Sequence, residues 1–244
     1  MAERDQGDIL RVLQTPVPTS FDVLVTDATA VTARRYPAAA DSPLHVTLIL
    51  AHGAGAPQAS PFMTQFASGL ADRGIEIVTF DFIYMEQRRR APDRAPKLEA
   101  CYRAVIDATR AGMPTARPRL LVGGKSMGGR IASQVVAKDA HDLDVAGLVF
   151  LGYPLHPPGR PKKRRDAHLP DIDSPILFVQ GSRDTFGTEA ELRPVVESCR
   201  RARLHVVEGG DHSLKIRRKG APPQEEIYAQ VMDVIARFVT SVGG

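Results

Sequence analysis

The sequence predicts an α/β fold: a doubly wound, mostly parallel sheet of about eight strands, with helices on both faces and no substantial cap domain. Three observations lead there. Strand-like and helix-like segments alternate along most of the chain. The strands LHVTLIL, IEIVTF, GLVFL and PILFV are continuous apolar runs without period-two alternation, as burial on both faces of a parallel sheet requires. No internal repeat or long linker divides the 244 residues, so one domain is expected over 1–244, with 1–20 as an N-terminal extension.

Residues 21–25 and 30–36 are short, rich in β-branched side chains and bounded by Pro, Asp and Ser; they read as an opening antiparallel pair. A strand at 45–51 precedes a helix at 61–73 that stops at Gly74, and 75–82 is the next strand. Apolar spacing makes 97–111 a helix ending at Gly112, followed by a strand at 119–123, a helix at 128–138 and a strand at 145–153. After a loop rich in Pro, Lys and Arg come a strand at 175–180, a helix at 189–201, a strand at 204–207 and a closing helix at 224–242.

With 43% hydrophobic residues the chain can close one sizeable core. Its first 14 residues are charged and lack an apolar signal region, and no apolar run approaches the roughly 20 residues of a membrane span. A soluble, cytoplasmic protein is expected. Cys101 and Cys199 both fall in predicted helices without CxxC or metal-like spacing, which suits a reduced compartment and offers no metal site. A net charge of +4 and a pI near 9.2 are too mild to indicate a nucleic-acid partner.

The segment LVGGKSMGGR contains G-x-S-x-G as Gly124, Lys125, Ser126, Met127 and Gly128, between a predicted strand and a predicted helix. That is the context a nucleophile elbow needs, because the serine sits in a strained turn and the glycines let strand and helix approach closely. With 20 Gly in the chain, such a pattern arises by chance roughly 0.07 times, so the context carries the assignment. A serine hydroxyl is a poor nucleophile until a base takes its proton, and the base needs a carboxylate to hold its tautomer. Asp184 follows the strand PILFVQ and His212 follows LHVV, giving the chain order Ser, Asp, His at the carboxyl ends of strands. The loop Ala51-His-Gly-Ala-Gly55 supplies suitable backbone for an oxyanion hole, with donors assigned to the N–H groups of Ala54 and Met127 and His52 bracing the loop.

Through HGAG, GKSMGG, QGSRD and GGDHS the chain resembles the α/β-hydrolase superfamily. It is most similar there to a dienelactone-hydrolase-like branch that includes testis-expressed hydrolase-like proteins and a subunit of the nonspecific-lethal chromatin complex. The resemblance implies acylation of Ser126, an oxyanion held by Ala54 and Met127, and deacylation by water activated by His212. Dienelactone hydrolases use cysteine, so their substrate does not carry over to a serine protein. Residues 155–174 are too few for the helical cap of many relatives, which leaves an open pocket.

Gly124-Lys-Ser126 also mimics the end of a phosphate-binding P-loop, but the first glycine of that motif would fall at Arg119, within a strand. Ser126 could instead cap a helix, Asp184 could be a turn residue, and Asp81 is the reserve acid. Lys125 reads as a surface or pocket-wall residue, and His45, His141, His156, His168 and His205 as structural or surface residues. Three basic clusters follow strands: Arg88, Arg89 and Arg90; Lys162, Lys163, Arg164 and Arg165; and Arg217, Arg218 and Lys219. They are candidates for a substrate rim that attracts an anion, set against the plainer reading of solvated loops neutralised by Asp93 and Asp166.

The expectation is therefore a serine hydrolase, carboxylesterase-like, acting on a small ester or thioester without metal or organic cofactor. The rivals are a non-catalytic interaction protein on the same fold, or a peptidase or acyltransferase using the same triad. Oligomeric state is not legible.

Overall fold

Along each central strand, successive side chains enter two different cores, which is why these segments show no alternation in sequence. In β3 (Val46–Ala51), Leu48 and Leu50 enter one core while Ile49 and Ala51 enter the other. The same division holds in β6 (Gly147–Leu151), with Val149 and Leu151 opposite Leu148 and Phe150, and in β7 (Ile176–Gly181), with Leu177 and Val179 opposite Ile176 and Phe178. The computed structural model describes residues 17–39, 43–113, 118–139 and 143–242; most of the predicted N-terminal extension and His141 lie outside them.

The strands join in one sheet of eight, ordered β1-β2-β4-β3-β5-β6-β7-β8. Here β1 is Thr19–Thr26, β2 Thr29–Tyr36, β4 Glu76–Phe80, β5 Arg119–Lys125 and β8 Ala202–Val207. The first two form the expected antiparallel pair, β2 runs antiparallel to β4, and all pairings from β4 to β8 are parallel. Helices α1 (Pro61–Ala71) and α6 (Gln224–Ser241) cover one face, burying Phe66 and Leu70 against Tyr228 and Ile235. On the other face α3 (Ala95–Ala111), α4 (Met127–Lys138) and α5 (Glu189–Ser198) bury Tyr102, Ile131 and Leu192. The segment between β6 and β7 holds only a short 3-10 turn at Leu169–Asp171, with no separate cap domain.

Most element boundaries move by one to three residues from the sequence expectation, and three differences have a plain cause. Helix α5 stops at Ser198 and not at 201, because Cys199 is already extended and Ala202 pairs with Ile176 to start β8 two residues early. Strand β6 is shorter than 145–153, since Gly152 takes φ 66° and turns the chain away. A four-residue helix, α2 (Ile83–Glu86), was not expected, being too short to show a period.

Candidate active site

Ser126 sits between β5 and α4 with φ 51° and ψ −115°, a backbone conformation costly for a residue with a side chain. The glycines around it are required by close approach. A Cβ on Gly124 would lie 2.5 Å from the Ala51 carbonyl oxygen, and one on Gly128 would lie 2.4 Å from the same atom. The strained turn lifts Ser126 to the carboxyl edge of the sheet, where a cavity of about 460 Å³ opens over it.

His212, in the loop after β8, places Nε2 2.8 Å from Ser126 Oγ and Nδ1 2.7 Å from Asp184 Oδ2. Asp184, in the loop after β7, is fully buried and held at both oxygens: Oδ1 accepts from the Phe186 N–H at 2.8 Å, and Oδ2 also accepts from Gln180 Nε2 at 2.9 Å. The Phe186 ring stacks on the imidazole at 4.1 Å between centroids. Asp184 Oδ2 thus faces an N–H at Nδ1, which leaves the lone pair of Nε2 directed at the serine hydroxyl.

The remaining candidates separate clearly. Ala54 and Met127 both line the cavity, and neither backbone N–H has a hydrogen-bond partner among the described residues. His52 is fully buried between the loop after β3 and Phe82, whose N–H donates to Nε2 at 3.1 Å. Burial lowers its pKa and keeps it neutral, so the Asp81 carboxylate 3.5 Å away is a neighbour rather than an ion-pair partner. Asp81 anchors a loop, accepting from the Gln58 N–H at 2.7 Å, while His212 Nδ1 is engaged by Asp184. Asp211 closes a turn by accepting from the Ser213 and Lys215 N–H groups at 2.8 and 3.0 Å. His156 bonds Glu191 at 3.1 Å and His168 bonds Ser133 at 2.8 Å, both structural contacts.

Lys125 is a wall of the cavity but no surface residue: it is 9% exposed, and its Nζ donates to the His212 carbonyl. Burial pulls its pKa down to about 8, partly opposed by Asp184 and Asp211. Of the ten basic candidates for a rim, nine are exposed and only Arg165 is half-buried and lines the cavity. Arg217 and Arg218 line a separate recess with Arg183 and Lys215, while Arg89 and Arg164 pair with Asp93 and Asp166 at 2.8 and 2.5 Å. Arg88, Arg90, Lys162, Lys163 and Lys219 line neither space. Arg130, not singled out in the sequence, also lines the cavity; its place four residues after Ser126 on a helix is the signal that points to it. Among the described residues no three His, Cys, Asp or Glu side chains gather to hold a metal ion.

The order in which the chain supplies Ser126, Asp184 and His212, along the carboxyl edge of a doubly wound sheet, is that of the α/β-hydrolases. The chain belongs to that family, the sequence model described as alpha/beta hydrolase domain matching residues 44–240. Among solved structures it is similar to an alpha-beta serine hydrolase homologue from Coxiella burnetii, with 17% identity, TM-score 0.70, and 90% of this chain and 96% of that one covered. An esterase domain from Rhodothermus marinus shows 15% identity and TM-score 0.68 over 93% and 100% of the two chains. A dienelactone hydrolase from Anabaena variabilis shows 18% identity and TM-score 0.66 over 93% and 96%. At these identities the likeness is one of fold.

Proposed function

We propose that the protein is a serine hydrolase that cleaves a carboxylic ester or thioester through an acyl-enzyme on Ser126. The observation that carries this reading is the unbroken hydrogen-bonded line from Ser126 Oγ through His212 to the buried Asp184. His212 Nε2 takes the hydroxyl proton as Ser126 Oγ attacks the substrate carbonyl carbon, and Asp184 stabilises the imidazolium. The N–H groups of Ala54 and Met127 receive the oxyanion of the tetrahedral intermediate. The imidazolium then protonates the leaving alcohol or thiol, and water deprotonated by the same Nε2 releases the acid.

The similar structures that are described as a serine hydrolase homologue and an esterase domain support the reaction class. The cavity volume of about 460 Å³ suits a small to medium acyl substrate. The test is a panel of 4-nitrophenyl esters and acyl thioesters of increasing chain length with wild type and Ser126→Ala. Turnover with an initial burst, lost in the variant, is the expected result; equal rates for both proteins would return the chain to the reading of a non-catalytic interaction protein.

A further inference from the structure

Two guanidinium groups in the cavity have no part in the steps above. Arg130 lies one turn into α4, its N–H bonded to the Ser126 carbonyl at 3.1 Å, and its half-buried side chain lines the cavity. Its Nη1 donates to Gln134 at 3.1 Å, but its buried Nε has no partner. Arg165 reaches the same cavity from the loop between β6 and β7. Its backbone is pinned on both sides, the N–H donating to the Leu155 carbonyl at 2.9 Å and the carbonyl accepting from the Tyr153 hydroxyl at 2.8 Å.

Neither group is neutralised by an acid among the described residues. Asp93, which also lines the cavity, is engaged by Arg89 at 2.8 Å and Lys97 at 3.6 Å, and Asp166 is engaged by Arg164. Burial first, and the Arg165 charge second, pull the Arg130 pKa below its usual range. Two like charges lining one cavity, one of them desolvated, favour an anion that both can reach, and the guanidinium fork matches the oxygens of a carboxylate or phosphate. Phe62, Met63, Leu98 and Met127 give the cavity an apolar wall where a short hydrocarbon spacer fits.

We infer that Arg130 and Arg165 form an anion-binding subsite, and that the substrate carries, a few bonds from its scissile carbonyl, a second group that is a carboxylate or phosphate. This rests on the proposed reading of Ser126 as the nucleophile. It replaces a diffuse rim of ten basic residues with one half-buried residue that no basic cluster contains and one member of the 162–165 run.

The experiment compares kcat/KM for the 4-nitrophenyl monoester of glutaric acid with that for 4-nitrophenyl valerate, similar in length and uncharged. Wild type is expected to favour the charged ester about tenfold or more, and Arg130→Met and Arg165→Met each to cut that ratio about tenfold. Arg200→Met, which removes a charge from an exposed surface pair, keeps the ratio. Arg165→Met, on a loop, serves if Arg130→Met does not fold. In parallel, calorimetry measures binding of glutarate and of inorganic phosphate to Ser126→Ala, with and without Arg165→Met, and tells a carboxylate site from a phosphate site. Anion binding that depends on Arg165 without turnover of either ester would sink the hydrolase reading and keep the subsite. Turnover with a ratio near one, or with no anion bound, overturns the subsite and keeps the hydrolase.

Discussion

The Nδ1–H of His52 donates to the Gly53 carbonyl at 2.6 Å, and in a planar trans peptide that carbonyl and the Ala54 N–H point in opposite directions. Holding one therefore aims the other. The Phe82 N–H donating to Nε2 at 3.1 Å fixes the ring from behind, so a neutral histidine orients a proposed oxyanion donor without touching substrate. His52→Leu keeps the apolar volume and removes both contacts. We expect kcat to fall about ten- to a hundredfold with a smaller change in KM, from a misdirected donor. Steady-state kinetics alongside thermal melting check this; a lower Tm with kcat retained would reduce His52 to a packing role.

Asp184→Asn should lower kcat by about 10³- to 10⁴-fold. The amide nitrogen would face His212 Nδ1 and favour the tautomer with its proton on Nε2, where it cannot accept the serine proton. Asp81→Asn, which changes a loop anchor 3.5 Å from His52, should cost far less. A large loss in Asp81→Asn with activity kept in Asp184→Asn would point to the reserve acid instead.

Lys125 makes stability depend on pH in a direction that can be worked out. Its folded pKa is about 8 against 10.5 for an ordinary lysine, so between those values the unfolded chain holds a proton that the folded chain has released. Stability then rises with pH across that window as far as this group is concerned. Urea unfolding of wild type and Lys125→Met should show the wild type gaining up to ~3 kcal/mol relative to the variant between pH 8 and 10.5. A flat difference would mean the ammonium is not desolvated. Because Nζ also holds the His212 carbonyl, the variant should lose about tenfold in kcat/KM at neutral pH.

Gly128→Ala brings a Cβ to 2.4 Å from the Ala51 oxygen and 2.7 Å from the His52 oxygen, both backbone atoms that cannot rotate away. A loss of ~3 kcal/mol is expected, seen as a fall in Tm of about 6–12 °C. At Gly55, where an added Cβ meets nothing within 4 Å, Ala should shift Tm by no more than about 2 °C. Equal shifts at both positions would remove the argument that strand and helix meet closely at the elbow.

The central parallel strands are legible in the sequence because burial on both faces leaves unbroken apolar runs, and Ser126, Asp184 and His212 because each follows a strand in a fixed order. Helix α2 is not, since four residues show no period, although it places the Tyr84 hydroxyl 2.9 Å from the Ala54 carbonyl. Composition flags residues 162–165 equally; half-burial in the cavity wall, with the backbone fixed by Tyr153 and Leu155, singles out Arg165. The partner of Lys125 is invisible for a related reason, because His212 lies 87 positions along the chain and meets it only in the folded protein.

The most direct test of the central claim is labelling of purified wild type and Ser126→Ala with a fluorophosphonate, with mass spectrometry to locate the adduct. The account predicts one adduct, on Ser126, that is absent from the variant. An unlabelled wild type, or an adduct on another residue that persists in Ser126→Ala, would contradict it.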